Sequence, residues 1–234
     1  MSLYLNLMQK CLLNLIYAPP EYIERIMIGR MTYEQSHTMI GYKRLKNVQH
    51  CIENIILLDI EGDFIETGVW NGGVTIFMRA ILKEHSVTDR KVWVADSFQG
   101  CPIPNPDVYP HDKDFNLFKR KDYAITIEQV KSNFVRYDLL DDQVQFLAGW
   151  FKDTLPTAPI EKIALLRLDG DLYESTMDGL IFLYPKVSSG GYIIVDDYNC
   201  YVPCKQAVTD YRKKYNIQEE IREIDWTGVY WRKL

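Results

Sequence analysis

Phe64-Ile65-Glu66-Thr67-Gly68-Val69-Trp70-Asn71-Gly72-Gly73 is the stretch on which the reading of the fold turns. Its apolar start suits a buried strand, and its glycines suit a tight turn into an amphipathic segment near Val74–Glu84. Downstream, short β-rich runs alternate with helix-length segments. The runs are Asp63–Thr67, Val92–Ala95, Val144–Leu147, Ile163–Leu168, Tyr192–Val195, Glu220–Ile224 and Val229–Trp231. Further helices are predicted near Thr126–Tyr137, Glu174–Tyr184 and Lys205–Tyr215. Such alternation implies right-handed crossovers and a mainly parallel sheet. The last two runs lack an intervening helix, and Trp226-Thr227-Gly228 suits a turn, so an antiparallel hairpin is expected at the sheet edge. The expected fold is α/β: a Rossmann-like, seven-stranded, mainly parallel sheet with helices on both faces.

Upstream of residue 60 the pattern is helical. Leu45, Val48, Ile52, Ile55 and Ile56 mark a helix over Lys43–Asp59, and Pro19-Pro20 breaks the chain before a short helix over Glu21–Ile28. In residues 1–16, apolar side chains recur at Leu5, Met8, Leu12, Leu15 and Ile16. No basic segment precedes them and Gln9 and Lys10 interrupt them, which fits an amphipathic helix better than a signal peptide. That apolar stripe needs a partner, and a second subunit is the expected one, giving a homo-oligomer and most simply a dimer. Residues 1–60 therefore read as a helical cap with an oligomer contact, and residues 61–234 as the Rossmann-like domain, in one structural unit overall.

With 234 residues, 47% apolar and 25% charged, the chain suits one globular core and shows no biased tract. A formal net charge of -5 argues against nucleic acid as a main partner. No apolar run reaches the roughly 18 residues of a membrane span. Five cysteines without framework spacing suit reduced thiols and a cytoplasmic setting. Cys200 and Cys204 lack the second pair that a structural zinc site requires.

Three strand ends point to a nucleoside cofactor. The Glu66-Thr67-Gly68 turn allows close ligand approach, and Glu66 can accompany a cationic part of the cofactor. The order G-x-G-x-x-G is absent, which disfavours a dinucleotide. Asp96 and Ser97 end the second strand, where a carboxylate can accept both ribose hydroxyls; a turn or cap aspartate is the competing reading. Gly149 and Trp150, in Phe146-Leu147-Ala148-Gly149-Trp150-Phe151, can wall an adenine, or serve the core. Two further strand ends, Asp169-Gly170-Asp171 and Asp196-Asp197, gather carboxylates at the same crevice. Hard oxygen donors without His or Cys favour magnesium or calcium, whereas capping and a basic partner would remove the need for a cation. The loop at residues 97–125, with four prolines, has the length of a binding loop.

With those residues in view, the chain resembles the macrocin and mycinamicin III O-methyltransferase family. The resemblance spans nearly the whole length. It is carried by Thr38-Met39-Ile40-Gly41, the Ile65–Trp70 turn, Val94-Ala95-Asp96-Ser97-Phe98-Gln99-Gly100, Leu166–Thr176 and Val195-Asp196-Asp197-Tyr198. It implies a class I methyltransferase using S-adenosylmethionine and Mg2+ to methylate a sugar hydroxyl on a glycoside or glycan. It further implies that Asp169, Asp196 and Asp197 hold the metal, with Asp169 also the base. Glu66, Gly68, Asp96 and Ser97 would contact the cofactor, Thr38 and Met39 would help cover it, and the loop around His111 would shape the acceptor pocket. Cys101 stands where the family carries leucine, and Asn71 where many relatives carry a basic residue. A rival reading takes Asp169 and Asp171 as the D-x-D pair of a metal-dependent glycosyltransferase, but leaves the Glu66–Gly73 turn and Asp96 without a role.

Overall fold

The computed structural model describes residues 2–234. Three helices come first: α1 (Leu3–Leu12), α2 (Pro20–Met27) and α3 (Gly41–Leu57). The remainder alternates as β1 (Asp63–Thr67), α4 (Gly73–Glu84), β2 (Val92–Asp96), α5 (Ile127–Arg136), β3 (Val144–Ala148), α6 (Phe151–Thr154), β4 (Ile163–Leu168), α7 (Tyr173–Leu183), β5 (Val187–Val195), α8 (Val202–Lys214), β6 (Arg222–Glu223) and β7 (Val229–Arg232). The seven strands form one sheet in the order β3-β2-β1-β4-β5-β7-β6. The first five run parallel and β7 is antiparallel to both β5 and β6. The order reverses between β1 and β4, which opens a crevice at their carboxyl ends.

Element boundaries follow most of the predicted ones, though α1 ends at Leu12, short of the predicted Leu15 and Ile16, and α8 starts at Val202, three residues early. β5 begins at Val187, five residues before the predicted Tyr192, because its pairing with β4 shifts register between Ile163 and Leu165 and takes up the extra residues. β6 shrinks to Arg222–Glu223, both exposed at the sheet edge. The four-residue α6 departs from the predicted pattern: aromatic residues run straight from β3 into a short helix that packs on α7.

Much of the α1 stripe expected to meet a second subunit is covered by this chain itself. Leu5 and Leu12 are fully buried and Met8 nearly so, within this chain's own core. The reason is that α1 lies on α4, and Gln9 donates to Gln49 of α3 at 3.1 Å inside that contact. The same hydrophobic cluster runs from Leu5 and Ile52 through Phe77 to Phe64 and Val94 in the sheet. Ile16, at the end of the predicted stripe, stays half exposed.

Candidate active site

The turn after β1 is built by exclusion. Gly68 has φ +83°, and a Cβ there would sit 1.8 Å from the carbonyl oxygen of Asp169, so only glycine lets β1 and β4 end side by side. The Asp169 N–H donates to Thr67 O at 2.9 Å, tying the two strand ends together. Gly73 is pressed from the other side: its N–H donates to His37 O at 2.9 Å, where a Cβ would collide. Thr38, Met39 and Ile40 thereby lie over the turn and line the crevice.

The crevice is a cavity of about 830 Å³. Glu66, Gly68, Asp96, Ser97, Trp150, Asp169, Asp196 and Asp197 all line it, together with Thr38 and Met39. Thr67 and Gly149 do not; Thr67 is buried in the sheet beneath α7. His111 is also outside the lining, its ring stacked on Tyr173 at 5.0 Å. Its neighbour Asp112, unnoticed in the sequence, is fully buried and accepts from the N–H groups of Tyr173 (2.7 Å) and Glu174 (3.1 Å). A carboxylate in the long connection between β2 and α5 thus caps α7 from 61 positions earlier in the chain. His37 is turned away as well, bonded through Nδ1 to the Tyr137 hydroxyl at 2.7 Å.

Asp96 does two jobs. Oδ2 accepts from Val69 N at 2.8 Å and Oδ1 from Phe98 N at 2.7 Å, so the carboxylate holds two turns in shape while still facing the cavity. Burial raises it from the ordinary aspartate range, opposed by those backbone donors.

Two buried arginines, neither singled out in the sequence, organise the acids. Arg167 sits beside Glu66 in the β1–β4 register and is fully buried. Its guanidinium bonds Glu66, Asp196 and, at 2.8 Å, Asp169. Arg44 of α3 bonds the other oxygen of Asp196 and reaches Asp225 at 3.1 Å. The sequence signal for Arg167 was a charge inside an otherwise apolar strand, Ile163–Leu168, which burial permits only with partners.

Both oxygens of Asp196 are bonded by guanidinium groups. The tightest acidic group is a different one: one oxygen each from Asp169, Asp171 and Asp197 lies within 4.8 Å of the others. Asp197 is buried with Oδ2 lacking any partner. Burial, then repulsion by its neighbours, raises all three; Asp171 is pushed up to about 8 and Asp197 well above the usual range. Glu66 is likewise pushed up to about 8, because burial and the like charges of Asp169 and Asp196 outweigh Arg167. Four carboxyls (Glu66, Asp169, Asp196, Asp225) share two guanidinium groups, and Asp171 and Asp197 add two more acids beside them, so the site favours added positive charge.

A Rossmann-like sheet ending in this hairpin, with a cavity over β1 and β2 and acids on β4 and β5, defines a class I methyltransferase fold. The model of the macrocin O-methyltransferase (TylF) family matches residues 23–233, and the chain belongs to that family. It is 52% identical to demethyldecarbamoylnovobiocin O-methyltransferase of Streptomyces niveus, over 99% of this chain and 94% of that protein. It is 51% identical to 8-demethyl-8-(2,3-dimethoxy-alpha-L-rhamnosyl)-tetracenomycin-C 4'-O-methyltransferase of Streptomyces olivaceus, over 99% and 92%. The solved structure of the O-methyltransferase NovP superposes with a TM-score of 0.96 at 54% identity, covering 99% of this chain and 98% of that one. The protein is an O-methyltransferase, and the glycosyltransferase reading of Asp169 and Asp171 falls.

Proposed function

We propose that this enzyme methylates a sugar hydroxyl of a glycosylated natural product, using S-adenosylmethionine and assisted by Mg2+. The observation that carries the reading is the cluster of Asp169, Asp171 and Asp197 beside the Gly68 turn, in one cavity. Relatives at about half identity support the chemical class, one of them named for a rhamnosyl substrate.

S-adenosylmethionine would supply the methyl group, and a magnesium ion held by Asp169, Asp171 and Asp197 would lower the pKa of the acceptor hydroxyl. The donor set fits such an ion: all oxygen, one oxygen partnerless, and mutual repulsion to relieve. The chain's own groups do the rest. The cationic end of the cofactor would lie against Glu66 and favour its ionised form over the protonated one that burial otherwise holds, and Asp96 retains oxygen lone pairs for ribose hydroxyls. Thr38 and Met39 cover that end, and Trp150 walls the far side. Asp169 receives the hydroxyl proton, with Arg167 behind it fixing the orientation of its carboxylate. Alignment of oxygen and methyl then supplies much of the acceleration. Residues 1–60 act as the cap over this arrangement.

The test is calorimetric titration with S-adenosylmethionine, followed by labelled-methyl transfer to a panel of glycosides with and without chelator. Saturable cofactor binding and transfer that stops on chelation and returns with Mg2+ are expected. Undiminished transfer in excess chelator would sink the metal-assisted mechanism.

A further inference from the structure

Two thiols border the acidic cluster and have no part in the chemistry above. Cys101, in the loop after β2, places Sγ 3.9 Å from Asp171 Oδ2. Cys200, in the turn after β5, places Sγ 3.5 Å from Asp197 Oδ1. Both thiols are free and both line the cavity. Asp197 Oδ2, buried and without a hydrogen-bond partner, is an unspent acceptor on the carboxylate that Cys200 touches.

The separations are informative. Zinc takes sulfur at about 2.3 Å and carboxylate oxygen at about 2.1 Å in a tetrahedral shell, which makes a sulfur–oxygen edge ~3.6 Å long. The observed 3.5 and 3.9 Å lie on either side of that length, so each thiol–carboxylate pair already spans one edge of a zinc shell. Magnesium has no use for sulfur, whereas zinc and cadmium prefer it. No arginine or lysine pairs with Asp171 or Asp197 among the described residues, so nothing but solvent must be displaced.

We propose that the cluster is also a mixed oxygen–sulfur site for a thiophilic divalent cation, zinc above all, held by Asp171 and Asp197 with Cys101, Cys200 or both, and that zinc held there excludes magnesium and silences methyl transfer. The proposal rests on the reading of the cluster as a cation site. Each ligating thiol gives its proton to solvent as the metal–sulfur bond forms, with no change of oxidation state.

The experiment uses the metal-free, full-length protein. Titration with Co2+ as a spectroscopic stand-in is expected to produce thiolate-to-cobalt charge-transfer absorption that Zn2+ then displaces. Cys101→Ser and Cys200→Ser are measured separately and together. Zinc affinity should fall about tenfold or more in at least one single variant and further in the double. Mg2+ affinity, followed by calorimetry, should stay within about twofold of the parent. Cobalt binding without a sulfur band, with equal zinc affinity in all variants, overturns the proposal. If Mg2+ fails to bind at all while the sulfur band persists, the magnesium reading falls and the thiol site stands.

Discussion

Asp196 and Asp197 are neighbours at the end of β5, yet they live in opposite electrostatic worlds. Asp196 gives one oxygen to Arg44 and the other to Arg167. Asp197 turns into the cavity, where Asp169 and Asp171 repel it and Oδ2 has no partner. Successive side chains at a strand end leave in different directions, so one step along the chain separates a carboxylate held in ion pairs from one with an unpartnered oxygen. The comparison teaches that an acid pair should be read by what stands behind each member, not by its motif.

The largest effect is expected at the residue that belongs to both environments. Asp169 touches Arg167 and also faces Asp171 and Asp197. Asp169→Asn should lower kcat about a thousandfold while S-adenosylmethionine affinity changes only a few-fold. Initial rates and calorimetry on the same preparation check this, and near-normal turnover would remove Asp169 as the base.

Next comes the contrast itself. Asp196→Asn leaves two buried guanidinium groups short of a partner and should cost about 3 kcal/mol or more. Asp197→Asn removes repulsion and should cost no stability in the metal-free protein, while weakening Mg2+ binding. Urea unfolding of both variants decides; equal losses would erase the distinction.

A smaller effect follows from pH. Glu66 and Asp171 have folded-state values raised to about 8 from ordinary values of 4.5 and 3.8. The folded chain therefore holds these protons more tightly than the unfolded chain does. Their contribution is complete below about pH 4 and is lost as pH rises through about 8. The apo protein should lose Tm across that window, and cofactor with Mg2+ should flatten the slope. Thermal scans over the range test it; a slope unchanged by ligands would show that these carboxyls do not meet them.

The smallest effect concerns the loop that frames the acceptor side. Asp112→Ala should cost about 1 kcal/mol by removing the cap on α7. Faster protease cleavage within residues 97–125, with cofactor affinity unchanged, is the accompanying readout. His111→Ala should leave transfer largely intact, since its ring lies on Tyr173 outside the cavity lining.

Much was legible because local patterns carry it. The alternation of apolar runs and amphipathic segments yields seven strands and the helices between them, and Trp226-Thr227-Gly228 marks the edge hairpin. Glycines at positions that permit no Cβ, followed by strand-end acids, locate the crevice and most of its lining. Boundary errors at β5 and β6 arise where strand pairing, not propensity, decides length.

By itself, then, the sequence determined the alternating α/β order, the side of the sheet on which the site lies, and the stock of carboxylates available there. Those depend on interactions between near neighbours. Only the tertiary structure decided that Arg44 and Arg167 bond Asp196, that Asp171 stands close beside Asp169 and Asp197, that Asp112 rather than His111 is the buried loop residue, and that α1 packs on α4. Each depends on contacts between residues far apart in the chain. The Arg44–Asp196 pair alone spans more than half its length, and no local pattern encodes which buried charge will find which partner.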